Sequence, residues 1–97
     1  MNPPKATRTV RLSNPEGLHL RAATLIAELV RHHQSKVSLH KGSRRAEATD
    51  VLQIATLGAA QGEEVVLEAS GDDAEAVLDA LVALFRDRFG NEDDANP

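Results

Sequence analysis

Residues 14–30, NPEGLHLRAATLIAELV, decide how the rest of the chain is read. Pro15 and Gly17 occupy the second and fourth positions of a type I turn. Beyond the turn, Ala22, Leu25, Ile26, Leu29 and Val30 recur at the spacing of one helical stripe, predicting an amphipathic helix over residues 20–33. Arg31, His32 and His33 would place basic groups at the negative end of its dipole. Ahead of the turn, Val10 and Leu12 alternate with Thr9 and Arg11, the two-residue period of a half-buried strand over residues 7–13. What the helix lacks is an ordinary cap. Where Ser, Thr, Asp or Asn would usually accept from the first amides, the chain offers Leu18, His19 and Leu20.

Working outward, KVSLH (36–40) and RRAEA (44–48) flank the turn KGS and read as a hairpin with Val37, Leu39, Ala46 and Ala48 inward. A short helix follows in TDVLQIATLG, with Asp50 as its N-cap, Gln53 three residues on, and Gly58 as the residue just past its end. EVVLEAS alternates Val65, Leu67 and Ala69 against Val66 and Glu68, a fourth inward-facing strand pattern. The last helix has Asp72 and Glu75 at the spacing of a capping box. Its stripe runs Ala74, Val77, Leu78, Leu81, Val82, Phe85 and Phe89, and Gly90 is the expected stop. The order β-α-β-β-α-β-α, with one apolar face per strand, predicts an α+β fold: a four-stranded antiparallel sheet with three helices on one face. The organisation expected is a flexible N-terminus over residues 1–6, a single domain over 7–90 and an acidic disordered tail over 91–97.

Composition narrows the function. The 97 residues carry 11 basic and 15 acidic groups, a formal charge of −4, so no basic field attracts nucleic acid or anionic lipid. Phe85 and Phe89 are the sole aromatics, which leaves no stacking platform for bases. No nucleic-acid partner is expected. Without cysteine there is neither disulfide nor thiolate chemistry. The N-terminal segment lacks an apolar leader core, and no run approaches membrane-spanning length, so a cytoplasmic protein without membrane insertion is expected.

The unusual helix start has a chemical reading. The first amides of any helix lack intrahelical acceptors and carry the positive end of the dipole. With His19 at the cap position, the amides of Leu20, Arg21 and Ala22 become a vacancy for an anion. Arg21 adds a guanidinium whose fork fits phosphate oxygens. A neutral imidazole nitrogen is itself a nucleophile able to accept a phosphoryl group. Together these describe a phosphohistidine site.

The string GLHLRAA within residues 14–30, and the run AEATDVLQIATLGAAQGEEVVLEASGDDAEAVLDALVALF with its TLG…QG spacing, resemble HPr, the histidine-containing phosphocarrier family of the sugar phosphotransferase system. The likeness spans about residues 7 to 89. It implies an open-faced β-sandwich and a relay protein rather than an autonomous enzyme, without cofactor or metal. In such a relay His19, through Nδ1, takes a phosphoryl group from the phosphohistidine of enzyme I and passes it to a histidine of an enzyme IIA. Arg21 falls on the family's active-site arginine. Leu20, Leu52 and Gln53 would form the docking surface, on a protein expected to be monomeric. Two departures bear on transfer rate: Ala22 replaces the family's usual proline, and Glu16 stands where Asn or Ser is customary.

In many relatives a serine at the start of the short helix is phosphorylated, which blocks transfer and recruits a transcriptional co-regulator. The matching residue here is Asp50, read first as a helix cap and second as a partial mimic of phosphoserine. The alternative function is therefore a regulatory binding module of the same fold in which Asp50 engages a partner and His19 transfers weakly or not at all. Unrelated to the family, His19 could simply end a turn in a small structural adaptor. His32, His33 and His40 read as surface groups, because adjacent histidines on a helix do not face the same way and make a poor zinc site.

Overall fold

Alternation along the first strand sets the layout. In the computed structural model, which describes residues 4–90, β1 (Lys5–Arg11) buries Ala6 and Val10, with Leu12 buried just beyond its end. It begins two residues before the expected Thr7: Lys5 and Ala6, expected in a flexible stretch, pair with Ser70 and Ala69. The remaining elements are α1 (Leu20–Arg31), β2 (Lys36–Lys41), β3 (Arg44–Glu47), α2 (Val51–Ala55), β4 (Glu64–Ser70) and α3 (Ala74–Arg86), followed by a 3-10 turn over Arg88–Gly90. The four strands form one antiparallel sheet in the order β1-β4-β2-β3. The expected α+β architecture is present. The expected tail, residues 91–97, lies outside the described residues.

Register brings the apolar positions together. Val10 faces Val65, Leu67 faces Leu39, and Ala69 lies between Ala6 and Val37, so the two central strands present an aliphatic floor to the helices. Ile26 and Val30 of α1 and Val77, Leu78, Leu81 and Phe85 of α3 complete the core. The buried face of α1 differs from the sequence stripe: Ala22, Ala23, Ile26, Ala27 and Val30 are buried, whereas Leu25 and Leu29 are only partly covered. Three alanines let that helix lie close to its neighbours, and the two leucines move to the flank. The helix also stops at Arg31, with His32 as its cap, short of the expected His33. Arg8, in phase with Ala6 and Val10, turns toward α3 and pairs with Glu75 and Asp79, one turn apart.

Three further helix ends depart from expectation. Helix α2 ends at Ala55 with Thr56 as its cap, so Gly58 lies one residue beyond the expected position. At the start of α3 the capping box does not form. Asp73, not Asp72, is the cap residue, and its side chain makes no cap hydrogen bond. Glu75 is engaged by Arg8 instead. At its end α3 stops at Arg86, and Phe89 leaves the helical stripe for a turn of its own.

The Asp73 carboxylate is used elsewhere. Its two oxygens accept from the backbone amides of Gln34 and Ser35, each at 2.9 Å, and from the Ser35 hydroxyl. The α1–β2 connection is thereby latched to the β4–α3 connection. The Ser35 hydroxyl first, then the Gln34 amide, hold the Asp73 carboxyl below its ordinary 3.8. Because the folded value is depressed, this stabilisation is full above pH 3.8 and is lost as pH falls through the folded value. An Asp73→Ala variant is therefore expected to melt below the unaltered protein at neutral pH, with the gap closing on acidification below the carboxylate range. Melting curves of both proteins across pH check this.

Candidate functional site

The end of β1 runs into a loop fastened on both sides. Leu12 exchanges backbone hydrogen bonds with the opposite connection, its amide donating to Glu63 and its carbonyl accepting from Gly62. Gln61 donates to the Ser13 carbonyl and the Leu18 amide to the Ala59 carbonyl, each at 3.1 Å. Within the loop, the expected turn closes through the Gly17 amide and the Asn14 carbonyl at 3.1 Å. Buried Asn14 returns the favour, donating from Nδ2 to the Gly17 carbonyl at 2.9 Å. Gly17 is left-handed (φ 63°), and a Cβ there would collide with the Ala59 carbonyl oxygen and approach Ala60 Cα at 3.0 Å. Only glycine fits.

This lashed loop delivers His19 as the N-cap of α1, in extended backbone (φ −80°, ψ 177°) and half-buried. Its carbonyl accepts the first helical bond from the Ala23 amide at 2.9 Å. Its ring does what the sequence reading did not expect. Nδ1 accepts from the Ala22 amide at 3.3 Å, so the imidazole itself partly fills the apparently vacant cap. An amide hydrogen aimed at Nδ1 requires a lone pair there, which puts the ring proton on Nε2. Ala22 matters because it has this N–H to give. A proline would not.

In the first turn of α1, Arg21 is exposed and makes no hydrogen bond or ion pair among the described residues. Leu20, at 59% exposure, and Leu52, at 71%, project into solvent from the adjoining helices α1 and α2. Gln53 is exposed too, but its Oε1 accepts from the Glu47 amide at 2.9 Å and ties α2 to β3. Asp50 caps α2, Oδ1 accepting from the Gln53 amide at 3.0 Å, which is the first of its two sequence readings. Glu16 is exposed in the turn. His33 and His40 have local partners, the Leu29 carbonyl and the Ser38 hydroxyl respectively.

Phe89 is the residue that sequence reasoning misplaced. Its ring stands edge-on to His19, with centroids 6.5 Å apart and planes at 77°. Asn14 was missed as well, since an Asn before Pro reads simply as a turn former. The site itself is an open surface. A depression of about 650 Å³ lies near Lys5, Val30 and Lys36, toward the C-terminal end of α1, and contains neither His19 nor Arg21. No helix among the described residues is long and apolar enough to cross a membrane.

Comparison with known proteins agrees with this geometry. Residues 6–87 match the family model for the phosphotransferase-system HPr component phosphorylation site. The phosphocarrier protein NPr of Shewanella violacea is 36% identical over 85 residues, covering 88% of this chain and 93% of that protein. The phosphocarrier protein HPr of Cupriavidus necator is 34% identical, covering 86% and 93%. The crystal structure of HPr-C-His from Thermoanaerobacter tengcongensis superposes with a TM-score of 0.84 at 34% identity, covering 90% of this chain and 98% of that one. The chain therefore belongs to the HPr family of phosphocarrier proteins, components of the phosphotransferase system that relay a phosphoryl group without being autonomous catalysts.

Proposed function

We propose that His19 is the phosphoryl acceptor, taking the group through Nδ1 from the phosphohistidine of enzyme I and passing it to a histidine of an enzyme IIA in the cytoplasm. The observation that carries this reading is the Ala22 amide aimed at Nδ1. It keeps the proton off the attacking nitrogen and points the lone pair toward the positive end of α1. Attack on phosphorus frees the Nδ1 lone pair from the Ala22 amide and forms the Nδ1–P bond while the donor's N–P bond breaks, its electron pair returning to the donor imidazole. No proton need move, because Nδ1 carries none. The ring becomes cationic with Nε2 still protonated. The Ala22 amide, losing its lone-pair acceptor, is then available to a phosphoryl oxygen alongside the amides of Leu20 and Arg21.

Arg21, exposed and without a hydrogen-bonding or ion-pair partner among the described residues, supplies a charge at the surface. Such a contact stabilises phosphate during transfer without trapping it in a closed cradle. Leu20 and Leu52 offer apolar area to whichever protein docks, with Gln53 beside them. We read Asp50 as a helix cap, the role its geometry supports.

Incubation with enzyme I and phosphoenolpyruvate tests the proposal. One acid-labile phosphate per chain, mapped to His19, is expected. No label with the organism's own enzyme I, or label on another residue, would overturn it. Arg21→Ala is expected to slow phosphoryl transfer about a hundredfold, the scale seen when one charge-stabilising donor is removed. Its melting temperature should move little, since the side chain is exposed and makes no hydrogen bond or ion pair among the described residues. Stopped transfer assays and thermal melts on the same preparation check both halves.

A further inference from the structure

We infer that Phe89 is a positioning residue for His19, a wall that keeps the imidazole in the orientation with Nδ1 at the Ala22 amide; the inference rests on the phosphoryl-acceptor reading of His19. Phe89 is buried, at 2% exposure, between the rings of His19 and Phe85, the latter at 4.9 Å and 63°. The backbone that brings it there is strained. Arg88 and Phe89 both adopt left-handed conformations, φ 52° and 59°, which non-glycine residues rarely take and which persist only where surrounding contacts over-determine them.

Core filling alone does not account for that strain. Phe85 and Phe89 are four residues apart, so a simple continuation of α3 would set both rings on the same buried stripe with no left-handed residue. The chain instead leaves the helix after Arg86 and folds Phe89 against the histidine. An imidazole held through one 3.3 Å hydrogen bond can rotate about χ2 and exchange Nδ1 for carbon. An aromatic ring packed beside it narrows that freedom. It also shields one side of the histidine from water, leaving the amide as the partner for Nδ1.

The test compares Phe89→Leu with Phe85→Leu. Both substitutions keep apolar volume and cost core packing, but only Phe89 touches His19. Nitrogen-15 NMR of the unphosphorylated His19 ring reads orientation and tautomer directly, without any partner protein. The unaltered protein is expected to show one Nε2–H tautomer, Phe89→Leu a shift toward tautomer averaging with phosphoryl uptake about tenfold slower, and Phe85→Leu ring signals close to the original. Averaged tautomers in the unaltered protein would overturn the inference, whatever the variants do. So would equal ring changes in both variants, or an unchanged ring in Phe89→Leu. If the unaltered protein takes no phosphate yet shows the fixed ring and the Phe89→Leu change, the acceptor reading fails while the positioning contact stands.

Discussion

A His19→Asn variant is expected to accept no phosphoryl group at all while melting at or slightly above the temperature of the unaltered protein. The two properties separate because the proposed function gives His19 two independent jobs at one position. As an N-cap it accepts from the Ala22 amide at 3.3 Å, and Asn is among the best residues for that task. As a phosphoryl acceptor it needs a nucleophilic ring nitrogen, and a carboxamide has none. His19→Ala removes both and should lose the same activity together with about 1 kcal/mol of stability, the usual worth of a cap. Labelling from phosphoenolpyruvate through enzyme I, run beside thermal melts, distinguishes the two variants. An asparagine variant that lost stability as the alanine one does would mean the imidazole stabilises the fold through packing, against Phe89 in particular, more than through its cap bond.

The largest loss of stability is expected from Gly17→Ala. Two terms act together. A side chain in the left-handed region costs about 1–2 kcal/mol. A Cβ at this position also meets the Ala59 carbonyl oxygen and Ala60 Cα, both backbone atoms that cannot swing aside, and forced overpacking typically adds about 1–3 kcal/mol. A total near 3 kcal/mol corresponds to a fall in melting temperature of roughly 12–20 °C for a domain of this size. Gly42→Ala serves as the control. Gly42 has a similar φ of 58° but open space around its missing side chain, so only the conformational term applies. The Gly17 variant should also transfer phosphate poorly even where it remains folded. The Gly17 carbonyl accepts from both Asn14 Nδ2 and the His19 amide, so moving it moves the cap residue.

Local periodicity carried most of the architecture into the sequence. Strands β1, β2 and β4 bury apolar residues at a two-residue period, α1 and α3 occur where apolar spacing places them, and α2 follows the Asp50 cap. The helix ends were less legible because their polar groups have long-range partners. Asp72 and Glu75 have the spacing of a capping box, yet Glu75 answers Arg8, 67 residues away, and the neighbouring Asp73 answers Ser35, 38 residues away. Local spacing holds no record of either. At the candidate site, His19 and Arg21 could be named from chain order because their chemistry depends on a helix start beside them. Phe89 could not. Its four-residue offset from Phe85 is what a continuous helix would show, and nothing in the composition of Arg86–Gly90 except the final glycine marks a chain reversal; the left-handed pair at Arg88 and Phe89 runs against residue preference.

The direction of β1 has a practical corollary for anyone attaching the protein to a surface or a reporter. That strand carries the chain from Lys5 to the lashed loop, roughly 20 Å at the usual rise per residue, so Lys5 lies at the opposite end of the strand from the loop that carries His19. Gly90, the last described residue, by contrast follows directly after the ring that stands against that histidine. If partners dock at the His19 face as proposed, tethers and fluorophores grafted ahead of Lys5 should leave docking undisturbed, whereas bulky fusions joined close behind Gly90 should impede it.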